Sequence, residues 1–428
     1  MGIRRRINLI KTSKLNCGIT LVTEYIPYVE SAAVGIWVGT GSSEEIAKHS
    51  GVSHFTEHMM FKGTDKRSAK EIASDIDKLG GQINAFTGKE ATCYYVKTTE
   101  NNLLKAADVL VDMITSSRFD KEEMDRERLV ICEEIKMTSD TPDDLAIDEG
   151  LHLVLESSSL GNSILGTPSS LKRITSNVMH NYVRDKYTLD RMVVSVAGKF
   201  DEEKVRDFFE NAFVSMQKKQ VYTEKRQGEY KAKYRSIKKD IEQSHICLAT
   251  KSIPLDDERS FALSILVNSF GGSMSSRLFQ NVREQKGLAY SVYATNSSLS
   301  SDGVFAIYAG VGQKNINRAI SAIKEELDKL KDSGLTNEEL ESSREQLKAS
   351  YIFSQESSLG RMFKNGKDQL LLGRTYEQDE IISSFDKVSH DDINEVKKLI
   401  SNFSNYSLAL VSNKRVDVRR LMENHIWK

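Results

Sequence analysis

The sequence lacks the features that would place it in a membrane, on nucleic acid or in an oxidising compartment. No apolar run approaches the roughly 20 residues that a membrane-spanning helix needs. The 60 Lys and Arg nearly cancel the 61 Asp and Glu, and a formal charge of −1 gives no pull toward nucleic acid or anionic lipid. There are four cysteines, Cys17, Cys93, Cys132 and Cys247, widely spaced and without any C-x-x-C pair. In a long chain without a signal segment they read as reduced thiols, and by spacing none is a zinc ligand. Arg4, Arg5 and Arg6 are not followed by an apolar h-region, and a strand-like pattern begins by Ile7, so a secretory signal is not expected. Myristoylation at Gly2 would need Ser or Thr where Arg6 stands. What remains is a soluble-type composition, 39% apolar and 28% charged. A length of 428 residues predicts two or three domains.

Against this plain background one segment carries chemistry. His54-Phe55-Thr56-Glu57-His58 reads H-x-x-E-H within a stretch of helical apolar spacing. At about 100° per residue, His54 and His58 point within roughly 40° of each other, with Glu57 about 60° to the other side. Two imidazoles one turn apart can grip a zinc ion, and the neighbouring carboxylate can take a proton from the water that the ion activates. Two histidines on a solvated helix face would give the same pattern, so a distant third ligand is the discriminating feature. Residues 121–137, KEEMDRERLVICEEIKM, predict a charged helix with an apolar stripe at Met124, Leu129, Ile131 and Ile135. Glu127 and Glu134 fall about 20° apart on it, whereas Glu133 competes from another face. An acidic solvated face accounts for such a run equally well. Cys132 lies two residues from Glu134, on a different helix face, where core packing suits it.

The run GVSHFTEHMMFKGT, followed about 75 residues later by LVICEEIKM, closely resembles the pitrilysin/insulinase family of inverted-motif zinc metallopeptidases. The resemblance is to its small two-domain form, the mitochondrial processing peptidase and its bacterial relatives, and it covers nearly the whole chain. It implies one Zn2+ per chain held by His54, His58 and Glu134, with Glu57 as general base and Glu127 supporting the site. It also implies that the edge segment Asn84-Ala85-Phe86 binds substrate backbone, and that Phe61 lines the pocket for the side chain after the cut bond. Acidic residues matching Asp144 and Asp148 contact an arginine upstream of the cut in the processing enzymes; here Asp replaces Glu at the first, which shortens the reach. Arg283 and Tyr290, in REQKGLAY, resemble an Arg and a Tyr that stabilise the tetrahedral intermediate in the larger insulin-degrading members.

The residues have bland readings too. Gln82–Thr98 is an ordinary hairpin pattern with a turn at Thr87-Gly88, open to an added strand only if one of its strands is an edge. Phe61 also suits a core. Thr141-Pro142-Asp143-Asp144 is a helix start, with a Thr cap, Pro at the first position and acids in the first turn. Gly271-Gly272-Ser273 is too short for a phosphate loop.

The fold class expected is α+β: two similar domains of antiparallel or mixed sheet packed with helices, related by internal duplication. Tyr187–Phe208 and Phe403–Met422 share a turn–strand–turn–helix order, offset by about 215 residues. The polar, basic stretch QKKQVYTEKRQGEYKAKYR reads as a linker. The boundaries are a catalytic domain over 1–216, a linker over 217–236 and a duplicate over 237–428 whose matching helix, ERSFALSILVNSFGG, has no histidine. The expected function is a zinc-dependent endopeptidase that cleaves extended peptides or unfolded leader segments. The expected assembly is a homodimer, or a heterodimer with a related chain, with no nucleic acid and no transmembrane segment. The expected place is the cytoplasm of a bacterium, or the mitochondrial matrix if the source is a eukaryote. A non-catalytic structural or peptide-binding subunit is the alternative, and the intact His54, Glu57, His58 and Glu134 argue against it.

Overall fold

The computed structural model describes residues 10–216 and 228–426. The arginines at 4–6, Ile7 and linker positions 217–227 lie outside them. The first sheet is built from β1 (Ile10–Lys14), β2 (Thr20–Tyr25), β3 (Ser31–Val38), β4 (Gln82–Thr87), β5 (Thr92–Thr99) and β6 (Met192–Gly198), in the order β1-β2-β6-β3-β5-β4. The second holds β7 (Tyr234–Lys238), β8 (Gln243–Ser252), β9 (Ala289–Ser298), β10 (Gly303–Gly312) and β11 (Ser407–Ser412), in the order β7-β11-β8-β10-β9. Without β1 the two orders are the same. β2 runs parallel to β6 and β7 parallel to β11; every other pair is antiparallel. The duplication is therefore one of topology, and the chain is a pair of mixed-sheet α+β units.

The central strands of each sheet are buried apolar runs. β3 and β6 are buried along almost their whole length, as central strands covered on both faces are. β4 alternates exposed and half-buried residues, as an edge strand does. The helices follow local signals. Ser68 caps the helix Ala69–Lys78 in a reciprocal capping box with Glu71. Pro142 opens the helix Pro142–Leu155, but the Thr141 hydroxyl makes no cap; it donates back to the Met137 carbonyl at 3.0 Å.

The compact units do not follow the simple cut at 217–236. The first consists of the described residues of Met1–Glu133, Asn162–Lys225 and Ile352–Gln378; the second of Glu134–Gly161, Arg226–Tyr351 and Asp379–Lys428. Two matching helices change place. Pro142–Leu155, from the first half of the sequence, covers β8, β10 and β11, and Ser358–Leu372, from the second half, covers β2, β3 and β6. Both come close through a glycine at the same place in the helix. A Cβ on Gly366 would lie 2.1 Å from Trp37 Nε1 on β3, and a Cβ on Gly150 would lie 2.3 Å from Cys247 Sγ on β8. Polar bonds also fasten the Ser358–Leu372 helix: Arg361 and Asn365 both donate to the buried Glu24 carboxylate on β2, Asn365 Nδ2 at 2.6 Å. The tail of the expected linker is structured as well. Tyr230 donates its hydroxyl to the Asn405 carbonyl at 2.6 Å, and β7 begins at Tyr234.

On the helix Lys121–Asp140 the expected apolar stripe is partly wrong. Met124 and Ile131 are buried, but Leu129 is 69% exposed, because 129 falls nearly opposite Glu127. Among the described residues no helix is long and apolar enough to cross a membrane.

Candidate metal centre and active site

The H-x-x-E-H segment forms the helix Val52–Met60, almost wholly buried. Its apolar face, with Phe55, Met59 and Met60, packs inward and fixes its rotation. Its N-terminus is held by the buried Glu45, which accepts the backbone N–H groups of Gly51 at 2.7 Å and Ser53 at 2.8 Å. A carboxylate satisfies orphan donors there and suits the positive end of the helix dipole. Burial nevertheless pushes the Glu45 carboxyl up to about 7, against those N–H bonds. Tyr182 pairs with the Ser53 hydroxyl at 2.7 Å and reinforces the same end.

From this helix His54 and His58 project together, with ring centroids 4.5 Å apart. The helix Lys121–Asp140 brings Glu134 to them. One ligand atom from each of His54, His58 and Glu134 lies within 4.8 Å of the other two, the sole such group among the described residues. Two imidazoles and one carboxylate are a catalytic zinc donor set, three protein ligands with the fourth position left for water. Burial, with His58 adding to it, lowers the pKa of His54 to about 4, while Glu127 pulls the other way. His54 is thus neutral at pH 7, the form that ligates metal.

The two helix glutamates are told apart by their partners. Glu127 Oε1 accepts from His58 Nδ1 at 2.8 Å, and Glu127 Oε2 pairs with Lys62 Nζ at 2.6 Å. Burial would raise the Glu127 carboxyl, but its bonds to His58 and Lys62 outweigh that and hold it low. Glu133 is exposed and stands outside the cluster. Glu57 is buried, and its Oε2 accepts the Thr87 hydroxyl at the end of β4. That bond ties the carboxylate to the edge strand. Lys62 and Thr87 were not singled out from the sequence. The signal was their position, one residue past Phe61 and one past Phe86.

The other expected site residues fall as follows. Phe61 is half-buried at the C-terminus of the Val52–Met60 helix. Asn84, Ala85 and Phe86 lie on β4, whose outer edge no described strand covers. The Phe86 ring packs edge-on against Trp37 at 5.5 Å and Phe363 at 5.7 Å, so that side chain faces the sheet. Asp144 and Asp148 are exposed on the helix Pro142–Leu155 in the second unit. Asp143, expected only as a first-turn acid, is the half-buried acid of that turn, and its charge bears on His245 and Tyr308. Arg283 and Tyr290 also belong to the second unit, and they meet: the guanidinium carbon lies 5.3 Å from the Tyr290 ring centre. The β9–β10 register slips at Gly310/Val311, which leaves Tyr290 as the extra residue of a bulge and 76% exposed.

Two family models match the chain: "Insulinase (Peptidase family M16)" over residues 20–168 and "Peptidase M16 inactive domain" over 173–347. An uncharacterized zinc protease of Bacillus subtilis, YmxG, is 43% identical across 94% of this chain and 98% of its own. The chain belongs to the M16 peptidase family. With its H-x-x-E-H helix intact and Glu134 at hand, this M16 chain is a zinc metalloendopeptidase. Uncharacterized zinc proteases of Streptomyces coelicolor, at 36% identity over 92% of this chain and 87% of theirs, and Rickettsia felis, at 35% over 92% and 95%, are similar throughout. The solved structure of a protease from Helicobacter pylori has the same fold, with TM-score 0.86 at 22% identity over 94% of this chain and 99% of that one.

Proposed function

We propose that this M16 peptidase cleaves extended peptides or unfolded leader-like segments, with His54, His58 and Glu134 as zinc ligands and Glu57 as general base. The observation that carries the reading is the bond from Thr87 on the open strand β4 to Glu57 beside the three-ligand cluster. Ala85 N–H is held by the Asn84 side-chain oxygen at 2.8 Å rather than by β5, so it faces the open edge. A substrate strand added there would exchange that local bond for its own carbonyl, with Asn84-Ala85-Phe86 as the template and Phe61 beside the side chain after the cut. Folded protein offers no free strand and is excluded.

Zinc, when bound, supplies Lewis acidity and a water acidified toward neutrality. Glu57 takes the proton of the attacking water and passes it to the leaving amine. Arg283 and Tyr290 offer a cation and a phenol donor for a developing oxyanion. In this plan residues 1–216 are the catalytic domain and 237–428 the duplicate that completes the chamber, either in a homodimer or with a related chain. Mixing Glu57→Gln and Tyr290→Phe chains under subunit exchange then restores part of the activity; no recovery after confirmed exchange removes the shared site. The relatives described above are bacterial, the case in which the cytoplasm is the expected place of action.

Asp144 and Asp148 are the acids for an arginine upstream of the cut. A charge-assisted pair of this kind contributes roughly 1.5–3 kcal/mol. Changing both to Asn lowers cleavage of Arg-containing peptides by about ten- to a hundredfold and spares Arg-free ones. Equal loss on both would place the pair in helix stability instead. The general test is a presequence-like peptide incubated with and without chelator, with cut sites mapped by mass spectrometry. Cleavage that persists in chelator contradicts the reading.

A further inference from the structure

The cluster contains a residue whose position no ligand motif explains. Lys62 lies one turn past His58, and both reach the same carboxylate: His58 Nδ1 to Glu127 Oε1 at 2.8 Å, Lys62 Nζ to Glu127 Oε2 at 2.6 Å. Lys62 is anchored for this, since its backbone N–H donates to the Met59 carbonyl at 3.1 Å where the helix ends. The Glu127 side chain is 8% exposed and that of Lys62 31%, so the carboxylate is withdrawn from water and its cation stands at the rim.

We infer that Lys62 is a positioning residue for the metal centre: it holds Glu127 so that Glu127 serves His58 rather than the metal. An ionised carboxylate can only accept, so the bond from His58 places the proton on Nδ1 and leaves Nε2 as the lone pair for a metal. That fixes tautomer and ring direction together, provided that Glu127 does not move. The Lys62 bond occupies the second carboxylate oxygen and offsets a charge that would otherwise be buried without a cation. It also separates two glutamates that share one face of the helix Lys121–Asp140. Glu127 has both oxygens engaged and stands outside the ligand group, whereas Glu134 is inside it. A zinc ion held by His54, His58 and Glu134 would then keep its fourth position for water, as catalytic zinc requires.

The test measures zinc affinity of the full chain by chelator competition. Partners one step removed from a metal typically change affinity about 10–100-fold. Lys62→Met should weaken zinc by that factor, and Lys62→Arg should restore most of it. In a Glu127→Gln background, Lys62→Met should add little, because the residue through which Lys62 acts is already changed. Thermal unfolding is followed in parallel, and Lys62→Gln replaces Lys62→Met should the latter not fold. Zinc affinity within about twofold of the native chain in the folded variant overturns the assignment, since that is below any such contribution. So does an undiminished effect of Lys62→Met in the Glu127→Gln background.

Discussion

Glu57→Gln leaves about one zinc per chain in place and lowers kcat by roughly 10²- to 10⁴-fold, the usual span for a positioned general base. The amide keeps the shape of the side chain and can still meet the Thr87 hydroxyl, but it cannot accept the proton of the attacking water. Glu57 is absent from the ligand group, so the metal content of purified protein is expected to be unchanged. The measurement pairs metal analysis with peptide turnover on one preparation. Native turnover in a zinc-replete Glu57→Gln chain would sink the base assignment, and loss of zinc would make Glu57 a ligand.

Glu134→Ala acts the other way round. It removes one of three donors, and zinc should fall well below one per chain at concentrations that saturate the native protein. Activity falls with it. Zinc is worth several kcal/mol of transition-state stabilisation, and about 1.4 kcal/mol is a factor of ten, so the loss is roughly a thousandfold or more. Glu133→Ala is the control: Glu133 is exposed on a neighbouring face and should change neither quantity. Full zinc content in Glu134→Ala would return the choice to Glu127.

The two substitutions show how unevenly the site could be read from sequence. His54, Glu57 and His58 are one turn of one helix, and helical periodicity alone brings them together. Glu127 and Glu134 are one face of another helix, and periodicity cannot say which of them meets the histidines. The family resemblance chose Glu134. The physical ground appears with the tertiary contacts: Lys62 and His58 occupy Glu127 and remove it from the choice. From the sequence Thr87 reads only as a turn residue, because a threonine at a strand end is unremarkable until the buried carboxylate that it touches is known. Tyr290 was visible as part of a motif, but its exposure comes from a bulge, and a register slip between β9 and β10 leaves no mark in the hydrophobic pattern.

The sequence by itself determined the duplicated α+β plan, the turn–strand–turn–helix order that closes each half, and the helix that carries the H-x-x-E-H histidines. Those are local properties, written in period, caps and repeats within a few turns of chain. Only the tertiary structure decided which sheet each helix covers. Pro142–Leu155 and Ser358–Leu372 each join the unit built mainly from the other half, although nothing in their own spacing distinguishes an apolar face meant for one sheet from a face meant for its twin. The choice rests on close approach: Gly366 against Trp37, Gly150 against Cys247, and Arg361 with Asn365 on the buried Glu24. Such complementarity exists between surfaces distant in sequence, and it takes a physical form only once both are folded.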